Sequence, residues 1–162
     1  MKNLVITAAC LAAFNFNACK NMQKTTANTN GALETVLSAP ATVKTGNPVI
    51  LTFTLKNNTR DTLTFCKWHT PFEGNGNFMA SYLDIKDSNG EMARYRGIMA
   101  KRMMPPPPAA YIKVAPHHSV TASVDILKGY AVTQPGTYTV TYQAGGVSGL
   151  KQVNDVTFTV TE

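Results

Sequence analysis

Acidic residues are scarce in this chain. Asp and Glu number 9 against 15 Lys and Arg in 162 residues, for a formal net charge of +6. The basic residues are scattered, with no dense cluster and no interleaved aromatics, which argues against nucleic acid as a partner. The surplus supports a mild attraction to acidic surfaces and no more. Cysteine is sparse as well: the 3 in the chain are Cys10, Cys19 and Cys66, too few for a disulfide framework if one of them carries lipid. The most apolar stretch, Leu4 to Phe16, is short of the roughly 20 residues that a membrane-crossing helix needs. Long runs of Ala, Leu, Glu and Lys are missing, which disfavours a helical bundle. Charged residues make up 15% and hydrophobic residues 44%, a balance that excludes disorder and leaves room for one domain with an ordinary core.

What is present begins with an export signal. Met1-Lys2-Asn3 is a short basic head before the apolar stretch, which has about the length of a signal-peptide core. Ala18-Cys19 follows, and a Cys after a small residue at that point resembles a bacterial lipobox. The expectation is a signal peptide over 1–18, cleavage before Cys19, and lipid on Cys19. Residues 19–32, polar and without periodicity, read as a flexible tether. Residues 33–162 form the domain. The protein is then exported and anchored by its lipid in a bacterial cell envelope.

The body reads as strands. Val49, Leu51, Phe53 and Leu55 alternate with Ile50, Thr52, Thr54 and Lys56, the two-residue period of a half-buried strand. The turn cluster Asn57 to Asp61 precedes Leu63 and Phe65, so a hairpin is expected there. Phe78 to Lys86 runs into Asp87-Ser88-Asn89-Gly90, a turn signal, before Glu91 to Arg96 returns. Further alternation runs through Val120 to Ile126, Tyr138 to Tyr142 and Val156 to Val160. Seven to nine short strands with frequent turns predict an all-β antiparallel sandwich. Gly136-Thr137-Tyr138 resembles the tyrosine corner of immunoglobulin-like domains, so the expected architecture is an immunoglobulin-like sandwich. Trp68 is expected to pack on the core.

One segment breaks the rhythm. Gly97 to Pro108 (GIMAKRMMPPPP) holds Met99, Met103 and Met104, the adjacent cations Lys101 and Arg102, and four prolines. Consecutive prolines cannot donate to a ladder and favour an extended path. A connection of this length is usually functional or disordered.

Three stretches together, CKWHTPFEG, RYRGIMAKRMMPPPPAAYIKVAP and SVTASVDILKGYAVTQPGTYTVTYQA, resemble a family domain. It is the immunoglobulin-like N-terminal or pro-region domain found with deuterolysin-like, peptidyl-Lys zinc metalloendopeptidases. The matching residues are Trp68, Thr70, Pro71, Glu73 and Gly74, then Tyr95, Gly97, Lys101 and Arg102, then Tyr111, Asp125, Tyr130, Gly136, Tyr138, Val140 and Tyr142. His69 departs from the pattern, since Asn is expected there. No His-Glu-x-x-His occurs, so the family's zinc chemistry does not carry over. The resemblance implies the accessory domain alone, and structural roles for Asp125, Tyr130, Gly136 and Tyr138.

Several chemistries were open to these residues. A Cys66/His69 nucleophile and base would diverge on a strand, where positions three apart face opposite ways. The carboxylates Glu73, Asp84 and Asp125 are not paired. Glu73 instead suits a bond to loop amides or a contact with Lys101 or Arg102 that pins two loops together. His69, His117 and His118 with Met99, Met103 and Met104 offer soft ligands for Cu(I), so the alternative reading is a periplasmic copper-binding sandwich. The leading expectation is a non-catalytic module with no cofactor, acting by protein contact through Trp68, Thr70, Pro71, Glu73, Met99, Lys101, Arg102, Met103 and Met104. The partner implied by the resemblance is a secreted zinc metallopeptidase, which the module would bind, inhibit or chaperone.

Overall fold

The computed structural model describes residues 33–162. The signal-peptide, tether and Cys19 expectations lie outside the described residues. Among the described residues nine strands form: β1 (Glu34–Ser38), β2 (Thr42–Lys44), β3 (Ile50–Lys56), β4 (Leu63–Cys66), β5 (Leu83–Asp87), β6 (Tyr111–Val114), β7 (Ser119–Asp125), β8 (Gly136–Tyr142) and β9 (Val156–Thr161). One sheet has the order β1-β3-β7 and the other β2-β9-β8-β5, while β4 and β6 form a separate two-stranded ribbon. All pairings are antiparallel except β2 with β9. The two larger sheets enclose one core, with Leu51, Phe53 and Leu55 of β3 facing Ile85, Val140 and Phe158 of the other sheet in a single cluster. The alternation in β3 thus does what its sequence dictates: the apolar set is buried and Ile50, the odd one out, is exposed.

The expected hairpin between β3 and β4 does not form, because β4 pairs with β6 instead. Its physical reason is Asn57, which is fully buried. Its side-chain amide donates to the carbonyls of Asp61, Val114 and Ala115, at 2.7, 2.9 and 3.2 Å. Its side-chain oxygen accepts from Thr59 N–H at 2.9 Å and the Thr59 hydroxyl at 2.7 Å. This hub satisfies the backbone of the β3–β4 turn and of the β6 end together, and a buried amide so engaged is costly to move. The ribbon therefore leaves the sheet.

The other structural expectations locate as follows. The Tyr138 hydroxyl donates to the Gln134 carbonyl at 2.8 Å, closing the corner before β8. Asp125 Oδ1 accepts from Val49 N–H and Leu127 N–H, both at 3.1 Å, tying the end of β7 to the start of β3. The Tyr130 hydroxyl accepts from Leu83 N–H at 3.0 Å. Of the Phe78–Lys86 strand, only Leu83–Asp87 is extended in the sheet. Phe78 is withdrawn into an aromatic cluster, 5.1 Å from the Tyr82 ring and 5.2 Å from the Tyr130 ring. Its ring lies where a Cβ on residue 129 would stand, so Gly129 has to be glycine for this packing.

Candidate functional site

The ribbon carries the site at its Cys66↔Tyr111 end. Beyond Cys66 the chain turns through Trp68 and His69, and His69 takes a left-handed backbone conformation (φ 60°). The His69 carbonyl accepts from the Tyr142 hydroxyl at 3.1 Å, and that hydroxyl lies 2.7 Å from the Ser148 hydroxyl. Thr70 is a local clasp: its hydroxyl donates to the Lys67 carbonyl at 2.6 Å and accepts from Phe72 N–H at 3.3 Å, a turn that a hydroxyl residue favours. Trp68, Cys66 and Ala110 form a small core of their own with Val147 against it.

The second half of the site comes from the 97–108 segment. Ile98 N–H donates to the Phe78 carbonyl at 2.9 Å and Ala100 N–H to the Met79 carbonyl at 3.0 Å, so the approach to the loop is anchored by backbone. Then Arg102 turns inward. Its guanidinium carbon sits 4.9 Å from the centre of the Trp68 ring, and its Nη2 lies 2.6 Å from Glu73 Oε1. The contact is an ion pair and is not aligned as a hydrogen bond, since Arg102 Nε and Nη2 and Glu73 Oε2 are buried without a hydrogen-bond partner among the described residues. The Arg102 side chain is 22% exposed and that of Glu73 11%, so the pair is shielded from most of the solvent screening that weakens surface pairs. Between and after these anchors, the loop is open: Met99 is 71% exposed, Met103 87% and Met104 69%, with Lys101 exposed among them.

Burial divides the residues expected to touch a partner. Trp68, Thr70 and Pro71 are buried and cannot meet a partner directly; they shape and floor the corner. Glu73 is committed to Arg102. Met99, Lys101, Met103 and Met104 remain as accessible surface. Residues that the sequence did not single out complete the support: Ala110 and Val147 pack the Trp68 cluster, and Ser148 braces Tyr142. Ala110 directly precedes β6, whereas Val147 and Ser148 lie between β8 and β9, far from the ribbon in sequence, and no local pattern signalled them.

The alternative ligand set is divided. His117 and His118 follow Val114, at the Leu63↔Val114 end of the ribbon. His69 and the methionine loop lie beyond the other end, about 10 Å away along β4 at roughly 3.3 Å per residue. His118 Nδ1 is 2.7 Å from the Pro116 carbonyl oxygen. Among the described residues no three His, Cys, Asp or Glu side chains converge as a metal site. Cys66 is a free, buried thiol, and no hydrogen bond joins it to His69. Burial lowers the pKa of the His69 imidazole below the usual value, the Arg102 cation adds to this, and Glu73 opposes it.

A family model for an immunoglobulin-like domain matches residues 32–148. No curated protein sequence matches the chain. A solved β-glucosidase from Listeria innocua, in complex with gluconolactone, aligns with a TM-score of 0.38 and 15% identity over 80% of this chain. The chain covers only 16% of that enzyme, and a likeness at this level says nothing of activity.

Proposed function

The chain belongs to the immunoglobulin-like domain family, and from that premise we propose a non-catalytic contact module of the bacterial cell envelope, anchored through lipid on Cys19. The carrying observation is the Trp68–Arg102–Glu73 latch. A cation held over an indole ring contributes about 0.5–2 kcal/mol in a partly desolvated setting. Here it fixes a loop whose remaining side chains, Met99, Met103 and Met104, are exposed. Methionine offers adaptable apolar surface and is enriched at protein interfaces. The partner is a protein, and the resemblance to a domain kept beside zinc peptidases selects a secreted metallopeptidase, which the module inhibits or chaperones.

Immobilised residues 33–162 incubated with an envelope extract, followed by zinc-peptidase assay and mass spectrometry of the bound fraction, test this. Recovery of a zinc peptidase that is lost with Met103→Ser/Met104→Ser supports the reading. Recovery of none, or recovery indifferent to the two methionines, counts against it.

A further inference from the structure

We propose that Met99, Met103 and Met104 form a site of reversible oxidation by hydrogen peroxide, and that sulfoxide formation there switches off the loop's apolar contact surface while the fold stays intact. The switch deepens the contact reading above and rests on it; the oxidation site stands on its own observations.

Five methionines lie among the described residues, and their surroundings sort them. Met79 is only partly exposed, and its Cγ and Sδ fill the space beside Gly74, 2.7 and 3.3 Å from where a Cβ would stand there. Met92 is 52% exposed and stands by itself, bridged to Lys86. Met99, Met103 and Met104 are the three most exposed large hydrophobic side chains of the described domain, and they share one short stretch of the loop. None of the three belongs to either apolar cluster, so no buried packing depends on their staying apolar. The one other soft sulfur nucleophile, the Cys66 thiol, is buried and shielded from a dissolved oxidant.

The supports of the loop also spare the sulfurs. Ala100 N–H donates to the Met79 carbonyl at 3.0 Å, and Ala110 N–H to the Pro107 carbonyl at 2.8 Å. Arg102 is held by Glu73 and by the Trp68 ring. A polar oxygen added to each of the three sulfurs therefore meets water and strains no contact that holds the loop.

The step is a two-electron transfer. A thioether lone pair attacks one peroxide oxygen, the O–O bond breaks, and that oxygen stays on sulfur. The other oxygen leaves as water after the proton shift, so sulfur is oxidised and peroxide reduced. Sulfoxides are polar and chiral, which removes the adaptable apolar surface that the loop presents. In the reverse step a reductase dithiol supplies two electrons and two protons, the sulfoxide oxygen leaves as water, and the dithiol becomes a disulfide. Exposure lets that enzyme reach the loop in the folded protein.

The protein is treated with hydrogen peroxide and followed by peptide mass spectrometry, urea denaturation and Trp68 emission. Met99, Met103 and Met104 are expected to convert about tenfold faster than Met79, in keeping with exposure. The urea midpoint and the emission are expected to match those of the untreated protein. Methionine sulfoxide reductases A and B, one for each sulfoxide epimer, with dithiothreitol are expected to restore all three thioethers without unfolding. Zinc-peptidase capture is expected to be lost on oxidation and regained on reduction. Met99→Leu/Met103→Leu/Met104→Leu, which keeps the apolar volume, is expected to capture with or without peroxide. Equal rates at Met79 and Met103, a lowered midpoint with sulfoxides confined to the loop, or sulfoxides that the reductases leave in place would each overturn the oxidation site. Capture indifferent to oxidation would overturn the switch. Absence of capture by the untreated protein would overturn the contact reading and the switch together, while rates, midpoint and repair still decide the oxidation site.

Discussion

Glu73 and Arg102, 29 residues apart in the chain, meet at 2.6 Å with most of both side chains withheld from water. The pair joins the loop after β4 to the loop before β6, the two segments that the ribbon brings together. Removing one partner leaves the other buried and uncompensated, which costs more than the pair itself is worth. Arg102→Ala is expected to lower stability by about 1–3 kcal/mol, measured by urea denaturation, and to raise hydrogen exchange at Ala100. Unchanged exchange there would show that the latch does not hold the loop.

The corner at β8 makes a smaller, cleaner test. Tyr138→Phe removes the hydroxyl that donates to Gln134 and leaves the ring stacked on Phe158 at 5.5 Å. A loss of about 1 kcal/mol is expected, the net worth of one hydrogen bond, with no change in the urea m-value.

Gly129→Ala is expected to be far more damaging. The added methyl meets the Phe78 ring, and Phe78 is packed against Tyr82 and Tyr130 with no room to withdraw. A loss of about 3 kcal/mol or more, or failure to accumulate folded protein, is the outcome to look for. A melting temperature equal to that of the parent would contradict the packing.

The pH dependence can be signed from His69. Its imidazole pKa is lowered in the folded state by burial first and by Arg102 second. Between that lowered value and the ordinary 6.5 the unfolded chain binds more protons than the folded one, so stability rises with pH through that window. The neutral ring's contribution is complete above about 6.5 and is lost as the pH falls. His69→Gln is expected to flatten the stability profile below pH 6.5; the same slope in the variant would assign it to another group.

At the alkaline end Tyr95 acts in the opposite sense. Burial, with Tyr130 adding to it, raises its phenol to about 12, and the hydroxyl donates to the Ile98 carbonyl at 2.6 Å. The folded state retains this proton where the unfolded chain, with an ordinary value near 10, gives it up. Stability from this group is present below pH 10 and declines from there toward 12. Tyr95→Phe is expected to reduce that decline in alkaline unfolding curves.

How far the sequence told this in advance varies by element. The alternation Val49 to Leu55 specified a buried face because the side-chain period of a strand is local information, and the same holds for β8 and β9. Gly136-Thr137-Tyr138 announced its corner through residues only a few positions apart. The partner of β4 was not legible, because the decision rests on Asn57 reaching Val114 and Ala115, more than fifty residues on. Turn chemistry around Asn57 to Asp61 suggested the nearer partner and was overruled by that long-range hub. The burial of Thr70 and Pro71 was hidden for a related reason: polar and turn-forming residues read as surface until a clasp such as Thr70 to Lys67 folds them inward. Contact between Glu73 and the Lys101-Arg102 pair was legible as a complementarity of charge, but which cation would turn in was not.

The chain contains a single tryptophan, and it is the ring beneath Arg102. Light emitted by this protein on excitation near 295 nm therefore originates in the latch and nowhere else. Release of the loop from Trp68 alters the polarity around that indole and the nearness of its cation. The unmodified domain thus has an optical reporter at the Trp68–Arg102 contact, and stopped-flow emission can time the opening of that contact without any label.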